Sequence, residues 1–304
     1  MDRSSTNVFS IASFALIGWT AAALILRDTD ISLQNTFNVD VCVIGGGAAG
    51  TYAAIKLKDL DKTVVVVERQ DRLGGHTKTY FDLASNRSIE LGVAEWEDTP
   101  IVRKFFARFN VPLYQYNFTI PGVTSEYADF RTGQSATPKQ GNLLGAWDAF
   151  QTQVAKYPSL DYSLDSVPFP VPADLLLPFG QFITKYNLED AVPYLSLYGE
   201  GWGNFVTLPT LLAINFFPPY FFSPASLFGG GSGALAAKDN SLIYEKATTE
   251  LGPNALLSST VLSMDRSAAD LVKITVQTPS GKKLIRAKKL ISAIPPRRCI
   301  SEYL

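Results

Sequence analysis

Three textures of apolar and polar positions follow one another along the chain. In the first, residues 39–44 (VDVCVI) form a short apolar run and residues 63–68 (TVVVVE) a second. The valines of the second run are continuous rather than alternating, as expected of a strand covered on both faces. Between the two runs, small and apolar residues from Ala48 to Lys58 carry helical spacing. Strand, helix and strand in this order predict a βαβ unit with a right-handed crossover. A polar linker, ISLQNTFN (31–38), leads into the first strand.

From about 98 to 224 the texture changes. Prolines cluster at Pro168, Pro170, Pro172 and Pro178, and aromatics are frequent. GNLLGAWDAFQTQVAKY (141–157) places Leu143, Leu144, Trp147, Phe150 and Val154 on one helical face. PADLLLPFGQFITKY (172–186) reads as a helix with Pro172 near its start, and NFFPPYFF (215–222) as a bulky apolar loop. This region is expected to be a mainly helical second domain.

The third texture, from about 225, returns to the first. A Gly-rich turn and a helix occupy 228–252, and a strand is expected from Leu256 to Leu262. LVKITVQT (271–278) alternates with period two, PSG turns it, and KKLIRA answers it as a hairpin. KLISAIPP (289–296) reads as one more buried strand, ended by prolines. The expected fold class is α/β: a discontinuous Rossmann-like domain, βαβ plus a β-meander, at 38–98 and 225–304, with a mainly helical substrate or cap domain inserted at 99–224.

Chemistry enters at the glycines of VCVIGGGAAGTYAAIKL (41–57). Gly45-x-Gly47-x-x-Gly50 follows a strand and opens a helix. Gly45 allows the tight turn, Gly47 lets the main chain approach a pyrophosphate, and Gly50 lets the helix pack on the strand. The N–H groups of the helix start are unpaired and favour an anion. Glu68, at the end of the second strand, supplies a carboxylate that accepts ribose hydroxyls and repels a 2′-phosphate. A lone glycine triplet is a weak signal, but this order of strand, glycines, helix, strand and acid predicts a dinucleotide site.

Composition narrows the alternatives. In 304 residues, 46% are hydrophobic and 18% charged, which excludes a disordered chain. A net charge of −1 gives no argument for nucleic acid or an anionic membrane surface. Two cysteines, Cys42 and Cys299, cannot make a disulfide framework or a thiolate metal site alone, and one histidine, His76, excludes a His-rich metal centre. No metal is expected. Residues 11–26 (IASFALIGWTAAALIL) form an uncharged apolar block shorter than the roughly 20 residues of a spanning helix. With Ala21 and Ala23 in an A-x-A-like pattern, residues 1–26 are expected to be a secretory signal peptide, with an uncleaved membrane anchor as the alternative. Sequons at Asn86 and Asn117 are compatible with a secreted glycoprotein.

The residues after Glu68 choose between dinucleotides. VVVVERQDRLGGHTKT (64–79) puts a second glycine pair, Gly74-Gly75, where an NAD-binding unit would have a helix. This stretch resembles the flavin-containing amine oxidoreductases, as do IELGVAEWE (89–97) and the meander ending in LISAIPP. The nearest resemblance is to the fungal β-cyclopiazonate-dehydrogenase-like branch, which carries Gly-Gly-His rather than Gly-Gly-Arg. The resemblance is strong over 38–98 and weaker over 226–296. It implies non-covalent FAD, with Gly45, Gly47 and Gly50 at the pyrophosphate and Glu68 at the adenosine ribose. Gly74, Gly75 and His76 would lie toward the ribityl and flavin side, and the backbone of Val261 would pair with adenine. His76 reads either as a weaker anion partner than the usual arginine or as an ordinary loop histidine.

The resemblance implies an FAD-dependent oxidoreductase that moves a hydride from an apolar or aromatic small molecule, an amine or a secondary metabolite, to flavin. Tyr198, Trp202, Phe216, Phe217, Tyr220 and Phe221 are the candidates for the substrate wall, with core packing as the alternative for each. No catalytic side chain is singled out, because flavin chemistry asks the protein chiefly for position and electrostatics. Members of this family continue past the LISAIPP strand, so the chain is expected to be C-terminally truncated, and an inactive flavoprotein remnant is one rival reading. The other is an NAD-dependent dehydrogenase, disfavoured by Gly74-Gly75.

Overall fold

A computed structural model describes residues 35–116, 124, 126–137, 141–160, 164–217 and 234–295. The expected signal segment 1–26, the sequon at Asn117, Tyr220, Phe221 and Cys299 lie outside the described residues. Among the described residues no helix is long and apolar enough to cross a membrane.

The two apolar runs form β1 (Thr36–Ile44) and β2 (Val64–Val67), parallel to one another, with α1 (Ala48–Lys58) between them. The expected linker is shorter than its polarity suggested, since residues 36–38 already pair with the last long strand. Alternation explains why the valines need no polar partners between them. Val41, Val43, Val64 and Val66 face one core, with Ala54 and Ile55 of α1. Cys42, Ile44, Val65 and Val67 face the other. Successive side chains of a strand point to opposite faces, so a strand covered twice is apolar throughout.

Next come a hairpin of β3 (Thr79–Asp82) and β4 (Arg87–Glu90), β5 (Trp96–Glu97), α2 (Pro100–Arg108) and β6 (Tyr114–Gln115). Asn86 is exposed in the hairpin turn. Thr99 caps α2 through its side chain and Pro100 occupies the first helical turn. Phe105 and Phe106 of α2, with Phe109 and Val111, pack into the same core as Val41 and Ile55. By packing, this helix, which lies beyond the boundary expected at residue 98, shares the core of β1 and α1. An apolar stripe is assigned to a domain by the face it meets, which periodicity alone does not reveal.

The inserted region holds a small hairpin, β7 (Ala128–Asp129) and β8 (Gln134–Ser135), then α3 (Leu143–Val154), α4 (Ala173–Leu176), α5 (Phe179–Lys185), α6 (Val192–Gly199) and α7 (Thr210–Phe216). The single helix expected over 172–186 is two, because Leu177 before Pro178 is extended (ψ 144°). Trp147, Phe150, Phe179, Phe182 and Phe217 build its core, with ring pairs such as Trp147–Tyr194 at 5.2 Å. Phe150 is fully buried among Trp147, Phe179 and Phe217. Phe150→Ala is expected to cost about 3–5 kcal/mol, read as a lower urea midpoint at unchanged m-value.

The chain returns through β9 (Ala234–Ala236) and α8 (Leu242–Leu251), then β10 (Ala255–Leu256), β11 (Thr260–Ala268), β12 (Leu271–Thr278) and β13 (Gly281–Ser292). The strand expected over 256–262 is broken at Ser258, which has φ 47°. The hairpin return and the separate buried strand expected at 289–296 are one strand, β13, whose first half pairs with β12 and which pairs in parallel with β1 from Leu284 to Ser292. The sheet order is β10-β2-β1-β13-β12-β11. Ile274, Val276 and Ile285 share a core with Cys42, Val65 and Val67, so the meander covers the face of the parallel strands opposite α1 and α8.

Cys42 is fully buried in that core, and burial pushes its thiol up to about 12. In a Cys299→Ser background, Cys42 is expected to stay unlabelled by a thiol reagent at pH 8 until denaturant unfolds the chain.

Candidate nucleotide-binding site

The site forms where β1 ends. Gly45 has φ +99°, a backbone conformation that side chains rarely adopt, and a Cβ there would meet Ile294 at 2.6 Å. A Cβ on Gly50 would lie 1.9 Å from the Gly45 carbonyl oxygen, so the first turn of α1 can sit on the strand end only with glycine at 50. Gly47 differs from both. The nearest group to a Cβ there is the Gly75 Cα at 4.0 Å. The space in front of Gly47 is bare of protein.

The helix start is also bare. α1 has no side-chain cap and no acidic residue in its first turn, and Ala48 and Ala49 are exposed. Unpaired N–H groups with the positive end of the helix dipole favour an anion at such a helix start, an effect of about 0.3–1 kcal/mol for the dipole part. Gly46, which the sequence pattern did not mark, organises the turn. Its N–H donates to Glu68 Oε2 at 2.6 Å, and its carbonyl accepts from the Gly74 N–H (2.8 Å) and the Thr51 hydroxyl (2.9 Å). A Cβ at Gly46 would strike Leu73 at 2.4 Å.

Glu68 is nearly buried and its other oxygen, Oε1, accepts from the Gln70 N–H at 2.7 Å. A carboxylate has about four acceptor positions, so two remain for ribose hydroxyls. The chain thus brings Gly45, Gly47, Gly50, Glu68, Gly74 and Gly75 together. The second glycine pair turns with φ +107° and +61°. Arg72 holds that turn open by donating to the carbonyls of Gly75 and Thr77, both at 2.8 Å. Tyr244 of α8 packs under Gly74, and burial raises its phenol to about 12 against the opposing Thr77 hydrogen bond. His76 is exposed beside this turn, and Gly92 packs against its carbonyl, where a Cβ would come within 2.1 Å. Val261 lies in β11 opposite Val276, two residues beyond Ser259, whose N–H donates to the Glu68 carbonyl at 2.8 Å. It joins the meander core, next to a shift of strand register.

Of the expected substrate wall, Phe217 is buried in the helical core and is packing. Tyr198, Trp202 and Phe216 are half-buried around that core, and Trp202 and Phe216 meet at 4.7 Å. Among the described residues no group of three or more His, Cys, Asp or Glu side chains could hold a metal. Asn240 had no sequence signal at all. It is fully buried, its amide donating to the carbonyls of Val93 (2.8 Å) and Ala94 (3.3 Å) while its oxygen accepts from the Ala237 N–H.

Residues 43–109 match the NAD(P)-binding Rossmann-like domain family. Over 282 residues the chain is 40% identical to an FAD-dependent oxidoreductase of Monascus ruber, covering 91% of this chain and 59% of that protein. It is 35% identical over 290 residues to the β-cyclopiazonate dehydrogenase of Aspergillus flavus, covering 94% and 61%. The chain therefore spans about three-fifths of the length of these relatives. In fold it is similar to a putrescine oxidase (TM-score 0.61, 17% identity, 86% of this chain and 59% of the other). It is also similar to a fatty acid isomerase from P. acnes (TM-score 0.63, 18% identity, 87% and 60%).

Proposed function

From its relationship to fungal FAD-dependent oxidoreductases as premise, we propose that this chain binds FAD non-covalently at the Gly45–Gly50 turn and serves an FAD-dependent oxidoreductase. The observation that carries the reading is the uncapped start of α1, bare in front of Gly47, with the Glu68 carboxylate fixed beside it. The α1 amides hold the pyrophosphate, and Glu68 accepts from the adenosine ribose. Arg72, by fixing the Gly74-Gly75 turn, keeps side chains clear of the next part of the cofactor. FAD, when bound, supplies a hydride acceptor. The substrate we assign is an apolar or aromatic small molecule, received beside the helical domain by Tyr198, Trp202 and Phe216. The fungal relatives do not favour the NAD-dependent alternative.

Calorimetric titration of the purified chain with FAD and separately with NADH tests this. FAD is expected to bind about tenfold tighter or better, a difference of at least about 1.4 kcal/mol. Equal affinity for the two, or binding of neither, would reject the FAD assignment.

A further inference from the structure

The hydroxyl of Thr79 stands at a crowded point. Its Oγ1 lies 2.9 Å from Oε2 and 3.0 Å from Oε1 of Glu90, its cross-strand partner in the β3–β4 hairpin. It also lies 2.7 Å from Oδ1 of Asp239, just before α8. The Ser241 N–H reaches the same hydroxyl oxygen at 3.2 Å and Asp239 Oδ1 at 2.9 Å. The Asn240 N–H donates to Glu90 Oε1 at 3.0 Å, and the Thr79 N–H donates to the Ser241 hydroxyl at 2.9 Å. Thr79, Glu90 and Asp239 are all half-buried. Two stretches 150 to 162 positions apart thus meet around one hydroxyl.

A threonine hydroxyl has one proton to give and two lone pairs to receive. If it gives that proton to Asp239 at 2.7 Å, a bare Glu90 carboxylate faces a lone pair at 2.9 Å. Two carboxylates this close to one oxygen also repel each other. One proton held by Glu90 removes both conflicts. Oε1 of Glu90 is taken by the Asn240 N–H, so Oε2 carries the proton and donates to Thr79, which donates to Asp239. The Ser241 N–H fills the second lone pair of Thr79. Burial raises the Glu90 carboxyl above its ordinary range and the charge of Asp239 adds to the rise, against hydrogen bonds from Asn240 and Thr79. The titratable groups on the elements around Glu90 are Lys78, Asp82 and Arg87 of the hairpin, Lys238 and Asp239 before α8, Tyr244 and Glu245 of α8, Arg72 and His76 of the second glycine turn, and Glu95. Among them Asp239 is the one whose charge acts on Glu90.

We propose that Glu90 and Asp239 share one proton through Thr79, and that this clamp makes Glu90 a positioning residue for the second glycine turn. The link to the turn is short. Leu91, next to Glu90, donates its N–H to the Lys78 carbonyl at 2.8 Å. Gly92 packs on the His76 carbonyl, and the Thr77 N–H donates to the Gly74 carbonyl at 3.1 Å. On the other side, the Asn240 amide holds the carbonyls of Val93 and Ala94. With the proton in place, the hairpin, the start of α8 and the glycine turn are one unit. When Glu90 ionises, two carboxylates face one hydroxyl proton and the hairpin loosens from α8. The folded chain holds this proton more tightly than the unfolded chain. The clamp therefore contributes fully below the ordinary glutamate pKa and is lost as pH rises through the raised folded value. Its consequence for FAD rests on the FAD-site reading above, whereas the clamp itself does not.

Amide hydrogen exchange of the chain without FAD reads the clamp. Wild-type protection at Leu91, Asn240 and Ser241, corrected for intrinsic exchange, is expected to fall about fivefold or more from about pH 5 to about pH 8. Glu90→Gln places a permanent donor where the acid proton sat. Its protection is expected to change less than about twofold over that range and to exceed the wild type at the upper end. In Asp239→Asn a single carboxylate accepts the Thr79 proton, so protection is also expected to hold within about twofold. His76→Asn is expected to keep the wild-type fall. Flat wild-type protection, a wild-type fall in Glu90→Gln, or a fall that disappears in His76→Asn overturns the inference. If Glu90→Gln does not fold, the wild type and Asp239→Asn decide in the same way. FAD titration reads the positioning role: Glu90→Gln is expected to match wild-type affinity at about pH 5 and to bind about threefold or more tighter at about pH 8. Equal affinities at both values remove Glu90 from positioning the turn. Binding of FAD by neither protein rejects the cofactor reading, and the exchange result still decides the clamp.

Discussion

Gly50→Ala is expected to lower stability by about 3 kcal/mol or more and to abolish measurable FAD binding, whereas Gly47→Ala leaves stability within about 0.5 kcal/mol and weakens only FAD binding, about tenfold or more. The contrast follows from what each methyl meets. At Gly50 it would lie 1.9 Å from the Gly45 carbonyl oxygen and 3.1 Å from the Ala293 side chain, so α1 must lift away from β1 and β13. Separating them opens the core shared by Ala54, Ile55, Val41 and Val43, all buried. At Gly47 the backbone is at φ −67°, which alanine adopts freely, and no protein atom comes closer than 4.0 Å. The methyl there enters only the space that a pyrophosphate would use. Urea denaturation and FAD titration of both variants check the pair. Equal FAD affinity for Gly47→Ala and the wild type would show that the phosphates lie elsewhere.

The second large effect is at Glu68. Glu68→Gln is expected to cost about 1–3 kcal/mol of stability and to reduce FAD affinity by one to two orders of magnitude. The Glu68 carboxylate accepts two backbone N–H groups, from Gly46 at 2.6 Å and Gln70 at 2.7 Å, and is nearly buried. An amide in the same place presents an NH2 to one of those donors, which leaves a backbone N–H unpaired and the glycine turn loosened. It also removes one acceptor from the ribose. Because the turn depends on the same two oxygens as the proposed ribose contact, stability and affinity are expected to fall together. Faster hydrogen exchange at the Gly46 and Gln70 amides, with the weaker FAD titration, is the expected pair of readings. An FAD affinity within twofold of wild type would remove Glu68 from the ribose.

Much of this was legible before any coordinates. The valine run of β2 declared its two covered faces, and the glycines at 45, 47 and 50 declared a tight turn between β1 and α1. Both signals are local: one is the repeat of a strand, the other a spacing set by a single turn and the helix after it. What stayed hidden was non-local. Gly46 reads as one more loop glycine until Leu73 and Glu68, more than twenty residues away, close on it. The stretch 172–186 carries helical apolar spacing throughout, but Pro178 breaks it, and the break is closed by the Phe179 N–H donating to Leu208. The Phe pair of α2 shows an amphipathic stripe in sequence and does not say which domain it covers.

The sequence by itself determined that β1, α1 and β2 form, in what order, and that the turn between β1 and α1 is open to an anion. Those features depend on side-chain alternation, backbone freedom at glycine and unpaired amides within a few residues of one another. Only the tertiary structure decided that Asn240 meets Glu90 of the β3–β4 hairpin, that Tyr244 packs under the second glycine turn, and that β13 is one strand serving both the parallel sheet and the meander. The reason is the range of the forces: periodicity is fixed by the geometry of neighbouring residues, whereas a buried carboxylate's surroundings are set by segments brought together from separations of twenty to more than a hundred residues.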